Sequence, residues 1–417
     1  MILNIFISKN KHNIENNISI DKNNIILGIN IGDNFQVENI INKLDRHLTI
    51  YNLMTINITF DKSYKSSNIM YIISKLDNIF YSFNPSKTKI IYHNIDDSVN
   101  IYIKYLKSYK DIVMETDKNP ETYLQYIKKN LPKGYKIEIH KLKTNDKMFP
   151  LTSAVGQGSQ YNSYFVYIQK EKQNKTCKNI VFIGKSITYD SGGLNLKFKE
   201  IETMKIDMTG SALLLNVLNL LVDTKKDNNN IHLLFPIAEN MIGNTAVRPG
   251  MVVKTLNGTM VEITDTDAEG RLTIVDAIEY FNKFIKKKLE KPILVDISTL
   301  TNTGRLVSFG GIIMCNKMGE KNTKKLIKIG SKFGEYLQKI EYRDEYNIFL
   351  ESNVADIRNY ASNCSVDTIY AGTFTKYFVD KDSEYIHVDI GCSTYNNNKI
   401  NSYGILLLYK FLKKLIN

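Results

Sequence analysis

The chain has 417 residues, of which 43% are hydrophobic and 24% charged, a globular composition that excludes wholesale disorder and fibrous repeats. The formal charge is +12, from 55 Lys and Arg against 43 Asp and Glu. The lysines are spread along the chain, which favours the amino-acid bias of an AT-rich coding sequence over a nucleic-acid-binding surface. No apolar run reaches the ~18–20 residues that span a bilayer, and four cysteines without CxxC spacing predict no disulfide framework, so we expect a soluble, cytoplasmic protein.

The N-terminal part predicts a small α/β domain. Short Ile-, Val- and Tyr-rich runs predict strands at residues 1–8, 25–31, 53–60 and 89–92. Helix-like segments lie at residues 34–48 and 99–113. Asn119-Pro120 then predicts a helix start, with Pro at the first helical position. We place the domain boundary before this helix, with an N-terminal domain over residues 1–110 and a larger domain over residues 111–417.

The larger domain predicts strands that alternate with helices. The predicted strands are residues 180–183, 231–237 and 293–297, and the predicted helices are residues 209–222, 271–287 and 403–415. A hairpin over residues 251–264 is predicted to turn at Asn257-Gly258, since Asn-Gly is a strong hairpin signal. This alternation is typical of an α/β domain whose central mixed, largely parallel sheet is flanked by helices.

Two segments combine acidic residues with glycines, which let the backbone approach a ligand closely. They are residues 184–197, GKSITYDSGGLNLK, continuing to Asp207, and residues 265–272, DTDAEGRL. Both begin where a predicted strand ends, which is where open α/β sheets place their sites. Two divalent ions would balance the four carboxylates of Asp190, Asp207, Asp267 and Glu269. Oxygen ligands suit Mg²⁺ or Mn²⁺, and Zn²⁺ accepts them as well.

Simpler interpretations of these residues stay open at this point. Each Asp could be a turn residue, and Asp207, just before a helix, could be a helix cap. Gly184-Lys185-Ser186 copies the end of a P-loop, but Asn179 stands where the first glycine is required. The HExxH motif is absent, which disfavours a histidine-built zinc site, and His387 is interpreted as a packed strand residue.

The two segments resemble the signature stretches of the leucyl (cytosol) aminopeptidase family of two-metal peptidases. That family carries GKxxxxDSGGxxxK after a strand, then an Asp before a helix, then NTDAEGR. The longer order also matches, at residues 154–159, 239–241, 248–250, 299–301 and 387–390, so the similarity runs from about residue 111 to the C-terminus. The resemblance implies a catalytic domain over residues 111–417.

The resemblance implies a role for each matching residue. The metal ligands would be Lys185, Asp190, Asp207, Asp267 and Glu269, holding two divalent ions per subunit, Zn²⁺ or Mn²⁺, with Mg²⁺ or Co²⁺ as alternatives. In the family a hydroxide that bridges the two ions attacks the first peptide bond. Lys197 would polarise the scissile carbonyl, and Arg271 would hold a bicarbonate ion that serves as general base.

The resemblance also implies a substrate and an assembly. The pocket for the first side chain would be formed by Met204, Thr299, Leu300, Asn302 and Gly391. It predicts a metalloprotease of the exopeptidase type that releases apolar, leucine-like N-terminal residues from peptides. Family members form homo-hexamers, as dimers of trimers, which predicts a hexamer here with a trimer as the alternative.

Departures from the family pattern put substrate preference in doubt more than activity. Asp265 stands where the family has Asn, Asn302 stands where it has Gly, and the N-terminal domain is shorter than is usual. Two competing hypotheses are a nucleic-acid-binding protein that keeps the peptidase fold and a catalytically silent scaffold. Neither needs the catalytic set, yet all seven residues are present, so both are disfavoured.

Overall fold

The N-terminal part is built on a five-stranded sheet in the order β2-β3-β1-β4-β5. The structure, a computed structural model, describes residues 2–8, 18–21, 24–29, 37, 39–40, 44, 55–80, 89–174, 176–308, 310–363, 365–396 and 399–415. The strands of this sheet are β1 (Ile2–Ser8), β2 (Ile18–Asp21), β3 (Asn24–Gly28), β4 (Thr55–Phe60) and β5 (Lys89–His93). Only β2 and β3 pair antiparallel. The strands predicted here are therefore confirmed in the described residues, whereas most of the helix predicted over residues 34–48 lies outside them.

The second sheet has nine strands and is mixed but largely parallel. Its order is β15-β14-β17-β13-β8-β10-β7-β6, with β9 beside β10. These strands are β6 (Tyr135–Lys141), β7 (Tyr164–Lys170), β8 (Asn179–Gly184), β9 (Ser186–Asp190), β10 (Asn230–Asn240), β13 (Ile293–Ser298), β14 (Gly311–Cys315), β15 (Leu337–Lys339) and β17 (Glu384–Asp389). Strands β8 and β10 are buried at every position, as expected of parallel strands covered on both faces.

Short strands complete the β-structure around the second sheet. They are β11 (Met251–Lys254), β12 (Met260–Ile263), β16 (Ile357–Arg358), β18 (Tyr395–Asn396) and β19 (Lys399–Ile400). β11 and β12 pair antiparallel and confirm the hairpin predicted at Asn257-Gly258. β16 adds to this hairpin in parallel, which brings the residues after it close to the second acidic segment.

Helices cover both faces of the second sheet and one face of the first. They are α1 (Ser66–Phe80), α2 (Asp97–Met114), α3 (Pro120–Lys129), α4 (Pro150–Gly156), α5 (Thr209–Asp223), α6 (Gly270–Tyr280), α7 (Glu320–Lys332), α8 (Asp367–Tyr377) and α9 (Ile405–Lys414). α3 begins as predicted, because the Asn119 side chain accepts the backbone N–H groups of Glu121 and Thr122. Among the described residues one stretch, Ile201–Asp223, is apolar and long enough to cross a membrane, but 89% of its most apolar 18-residue window is buried, as in a core helix.

Two apolar cores lie on opposite faces of the second sheet. One is formed with α4, α6 and α8, and the other with α5, α7 and α9. The second core continues without a break into the first sheet, through α2, which packs on α5. α2 also runs through residue 110, so a helix spans the predicted domain boundary, and the division into two domains stays a prediction.

A buried lysine joins the end of α2 to the segment before α5. Lys118 Nζ donates to the carbonyls of Ile112 and Val113 at 3.2 and 2.9 Å, and to the carbonyl of Lys205 at 2.7 Å. Burial lowers the pKa of Lys118 to about 7. The acceptor Lys205 lies in the 3₁₀ turn Ile201–Ile206, which leads directly to Asp207.

The helix predicted over residues 271–287 is not a single α-helix. α6 ends at Tyr280 and continues as the π-helical turn Phe281–Ile285 and the 3₁₀ turn Lys286–Lys288. The apolar periodicity of the sequence continues through the π turn, so the pattern could not reveal the change in hydrogen bonding.

Candidate metal centre

Lys185 lies between β8 and β9 at the carboxyl edge of the second sheet. Its Nζ lies 2.7 Å from Asp207 Oδ2 and 2.8 Å from Glu269 Oε1, and it donates to the Thr299 carbonyl at 3.0 Å. Asp207 follows the 3₁₀ turn, Glu269 precedes α6, and Thr299 follows β13. A Cβ at Gly270 would lie 2.2 Å from Lys185 Cε, so only glycine leaves room for this lysine.

Asp190 ends β9 and is held by the turn that follows it. Its Oδ1 accepts the backbone N–H of Gly192 at 3.0 Å and the amide of Asn240 at 2.8 Å. Gly192 adopts a φ of +87°, a backbone conformation that favours glycine. Lys197 Nζ lies 2.8 Å from Asp190 Oδ2 and also contacts Asp267 Oδ1, which joins the two acidic segments.

These side chains form what we call the acidic cluster: Lys185, Asp190, Lys197, Asp207, Asp267 and Glu269. Oxygens of Asp190, Asp267 and Glu269 lie within 4.8 Å of one another. Four carboxylates face only two ammonium groups, so the cluster has an excess of negative charge.

The buried oxygens of the cluster fit a metal site. Asp207 Oδ2, Asp267 Oδ1 and Glu269 Oε1 are buried and accept no hydrogen bond of good geometry, although a lysine ammonium lies close to each. Buried charged oxygens without hydrogen bonds are costly unless a cation compensates them. Hard oxygen donors in this arrangement therefore suit divalent ions.

The pKa values of side chains in the acidic cluster also indicate that the cluster requires positive charge. Burial, followed by repulsion from Asp190, raises the pKa of Asp267 to about 7. Burial also raises the pKa of Asp207 well above its ordinary value. Burial alone would lower the pKa of Lys185, but attraction to Asp207 and Glu269 outweighs it and raises that pKa. The cluster thus retains protons that separate side chains would release, and bound cations would take their place.

The cluster opens into a cavity of about 310 Å³. All but one of the site residues expected from the sequence line it: Lys185, Asp190, Lys197, Met204, Asp207, Asp267, Glu269, Thr299, Leu300, Asn302 and Gly391. The loop after β13 is fixed by buried Asp389, whose carboxylate accepts the backbone N–H groups of Leu300 and Thr301 at 3.1 Å each. The residues expected to bind substrate thus share one wall with the acidic cluster.

The expected residue that does not line this cavity is Arg271. Its side chain is 1% exposed, and its guanidinium is engaged by other residues of the chain. Nη2 donates to both carboxylate oxygens of Asp367, at 2.8 and 2.7 Å, and Nη1 donates to the Asn359 carbonyl at 3.1 Å. The anion next to Arg271 is therefore Asp367, a residue of the chain itself.

Sequence reasoning missed two residues that line the cavity and one that supports it. Asp367 and Tyr360 line the cavity, and Asn359 holds the second acidic segment, since its side-chain amide donates to the carbonyls of Asp265 and Ala268. All three residues follow β16, a two-residue strand that pairs in parallel with β12. A strand this short leaves no recognisable pattern in the sequence, so nothing in the sequence indicated these residues.

Four carboxylates and a lysine thus meet at the carboxyl edge of the second sheet. This arrangement makes a candidate centre for two divalent ions. The sequence model of the cytosol aminopeptidase family, catalytic domain, matches residues 109–407. The chain belongs to this family, and the resemblance indicated by its motifs is confirmed.

Individual relatives match over a similar share of the chain. A probable cytosol aminopeptidase of Prochlorococcus marinus (strain MIT 9211) is 34% identical over 274 residues, which are 63% of this chain and 54% of that protein. A probable cytosol aminopeptidase of Wolbachia pipientis wMel is 32% identical over 312 residues, 71% of this chain and 60% of that protein. The chain thus spans little more than half the length of the curated relatives it matches.

Solved structures share the fold. The bottromycin maturation enzyme BotP, in complex with Mn, has a TM-score of 0.81 at 19% identity, covering 100% of this chain and 99% of that one. The cytosol aminopeptidase of Coxiella burnetii has a TM-score of 0.79 at 22% identity, covering 95% of this chain and 87% of that one. The predicted fold class, α/β with a mixed, largely parallel sheet flanked by helices, is confirmed.

Proposed function

We propose that this protein is a metal-dependent aminopeptidase that removes N-terminal residues from peptides. The observation that carries the proposal is the acidic cluster, whose unbalanced, buried carboxylates open directly into a cavity in a chain of the cytosol aminopeptidase family. A free N-terminal amine is a metal ligand, whereas an internal peptide nitrogen is a poor one, which favours an exopeptidase.

Five residues would hold the ions: Lys185, Asp190, Asp207, Asp267 and Glu269. Lys185 ligates only as a neutral amine, so it must lose its proton when metal binds. The chemistry that two divalent ions supply when bound is Lewis-acid polarisation of the peptide carbonyl and a lowered pKa for the attacking water. A related fold, BotP, was solved with Mn. We propose Mn²⁺ or Zn²⁺ here, with Mg²⁺ or Co²⁺ as alternatives.

Lys197 is the proposed electrostatic catalyst. Burial alone would lower its pKa, but Asp190 and neighbouring carboxylates outweigh burial and raise it, so the ammonium stays charged. It lies on the cavity wall beside Asp190 and Asp267, where it would donate to the scissile carbonyl oxygen as negative charge develops.

The residues that line the cavity together with the acidic cluster would receive the first side chain of the peptide. Met204, Leu300 and the backbone of Gly391 offer apolar surface there, with Thr299 and Asn302 beside them. We therefore propose a preference for apolar, leucine-like first residues.

Hydrolysis of a leucyl amide tests the function. The purified protein loaded with Mn²⁺ or Zn²⁺ should hydrolyse the amide bond and release leucine and the amine, and a chelator should abolish the reaction until metal is restored. The matched N-acetylated substrate should be inert, because it lacks the free amine. Efficient cleavage of the acetylated substrate, or no cleavage of either with two ions bound, would refute the proposal.

We also propose a cellular compartment and an oligomeric state for this protein. The matched relatives are named cytosol aminopeptidases, and we propose a cytoplasmic enzyme for this chain. A hexamer with enclosed sites would admit short peptides and exclude folded proteins, so we propose a dimer of trimers. Light scattering should then give a mass near six times 48.0 kDa.

A further inference from the structure

The ion pair between Arg271 and Asp367 bears on which group acts as the general base. Both Asp367 oxygens bind Nη2 of Arg271, and the guanidinium carbon lies 5.3 Å from the centre of the Tyr370 ring. Such a charge-assisted contact is short and strong, although both bonds come from the one nitrogen Nη2. The buried cation is thus already neutralised by an anion of the chain.

This pairing does not fit the bicarbonate ion that family resemblance assigns to Arg271. Bicarbonate would have to share one buried guanidinium with the Asp367 carboxylate, and two anions at that distance repel each other. Arg271 also does not line the cavity, so an ion from solvent would meet Asp367 first. Within the described residues, Nε is the one guanidinium nitrogen of Arg271 without a hydrogen-bond partner, since Asp367 and Asn359 engage the other two.

Asp367 itself lines the cavity in which a base is needed. Its side chain is 23% exposed and lines the same cavity as Lys197 and the four carboxylates of the acidic cluster. Each carboxylate oxygen has two acceptor sites, so bonds to Arg271 leave acceptor capacity toward the cavity. Asp367 is also the first residue of α8, where the helix dipole stabilises a negative charge.

Asp265 lines the cavity too, but it is a poorer candidate. Its Oδ1 accepts the backbone N–H of Asp267 at 2.8 Å, so the carboxylate is turned to its own loop. Asp265 therefore shapes the acidic segment, while Asp367 is presented by a separate helix.

We propose that the Asp367 carboxylate is the general base of the hydrolysis and stands in for bicarbonate, an inference that rests on the proposed aminopeptidase function. Asp367 takes a proton from the attacking water as the water oxygen forms its bond to the peptide carbonyl carbon. It then returns that proton to the departing nitrogen as the C–N bond breaks. Arg271 positions the carboxylate and does not contact the reacting atoms.

The experiment compares bicarbonate dependence in the wild type and two variants of Asp367. In buffer freed of carbon dioxide, added bicarbonate should change the wild-type kcat less than twofold. Asp367→Ala should lower kcat by ~10²–10⁴-fold, the usual contribution of a general base, and bicarbonate should restore part of it by filling the space. Asp367→Asn should lose as much, without rescue, because its amide occupies that space. Asp380→Ala, a surface aspartate paired with Lys286, is the matched control and should behave as wild type.

A second readout does not depend on turnover. ¹³C-bicarbonate titrated into the metal-free proteins and followed by NMR should bind Asp367→Ala but neither wild type nor Asp367→Asn. Bicarbonate binding to or activation of the wild type, or a normal kcat for Asp367→Asn, would overturn the proposal. A wild type that binds two ions yet hydrolyses no leucyl amide would instead refute the aminopeptidase function. The bicarbonate titration would still report whether the Asp367 carboxylate occupies the anion site next to Arg271.

Discussion

Two groups of buried charged side chains lie around strand β13, and they differ in whether their charges balance. In the first, which we call the His387 cluster, Asp296 accepts from Tyr385 Oη at 2.6 Å and pairs with His387 Nδ1 at 2.7 Å. Asp296 thus meets one imidazole and one hydroxyl in the middle of the sheet, and the buried Asp389 carboxylate nearby also attracts the imidazole. In the acidic cluster, at the edge of the same sheet, four carboxylates meet two ammonium groups beside a cavity.

The difference teaches that burial and hydrogen bonding do not by themselves mark a functional site. Both clusters are buried, and in both the charges shift the neighbouring pKa values. For His387 burial would lower the pKa, but Asp296 outweighs burial and raises it. Unbalanced charge and access to solvent distinguish the acidic cluster, and both are what a metal ion and a substrate require.

The largest expected effect is loss of the metal centre in Asp190→Ala. Asp190 contacts Lys197 and lies close to Asp267 and Glu269 in the acidic cluster, and its removal takes away one of the five proposed metal ligands. We expect fewer than two ions per chain by metal analysis, and activity lower than that of any variant that keeps both. Two tightly held ions in this variant would contradict the proposed ligand set.

Asp296→Asn should break the His387 cluster without touching metal binding. Removal of one partner of a buried ion pair leaves an uncompensated charge and typically costs ~3–5 kcal/mol of unfolding free energy. Urea unfolding should show that loss, while the folded variant should still bind two ions. Asp380→Asn, on a half-exposed carboxylate, is the control and should leave stability nearly unchanged. Fewer ions in folded Asp296→Asn would show that the two clusters are not separable.

Lys197→Ala separates catalysis from metal binding within the acidic cluster. Since Lys197 is proposed to polarise the carbonyl and not to ligate, its loss should lower kcat by ~10²–10³-fold, as for other electrostatic donors. Metal analysis should still give two ions per chain. A variant with fewer ions would place Lys197 among the ligands.

The smallest expected effect is on the pH dependence of stability, and it belongs to the His387 cluster. Because the folded pKa of His387 is raised, its pair with Asp296 contributes fully below the unfolded pKa of about 6.5. That contribution is lost as pH rises through the raised pKa. The stability difference between wild type and Asp296→Asn should therefore shrink from pH 6 upward, measured by urea unfolding in chelator. A difference that grows with pH would indicate that His387 is neutral in the folded protein.

The sequence predicted those parts of the site that lie in continuous segments. Asp190 and Lys197 come from one segment and Asp267 and Glu269 from another. Residue types and spacing drew attention to these two segments, whereas the role of each residue was implied only by the family resemblance. Asp367 lies 96 residues beyond its partner Arg271, and only the tertiary fold brings the two together.

The fold was predictable to a similar extent. Buried parallel strands such as β8 and β10 are continuous apolar runs, which the sequence displays directly. The antiparallel edge formed by β6 and β7 was not predicted. β6 is partly exposed and leaves a weak pattern, whereas β7 is an apolar run buried over residues 164–168 that was overlooked. The π turn after Tyr280 was not predicted either, because its apolar residues continue the pattern of the preceding α-helix.

Helix α2 and Lys118 have a consequence for how this protein evolves. The helix crosses residue 110, packs on α5, and its last carbonyls share the ammonium of Lys118 with the turn that carries Lys205. Recombination at this point would divide a helix and remove one side of an apolar core that continues between the two sheets. The N-terminal part is therefore not a freely exchangeable module, and lineages that alter it must adjust the helix surface that supports the approach to Asp207.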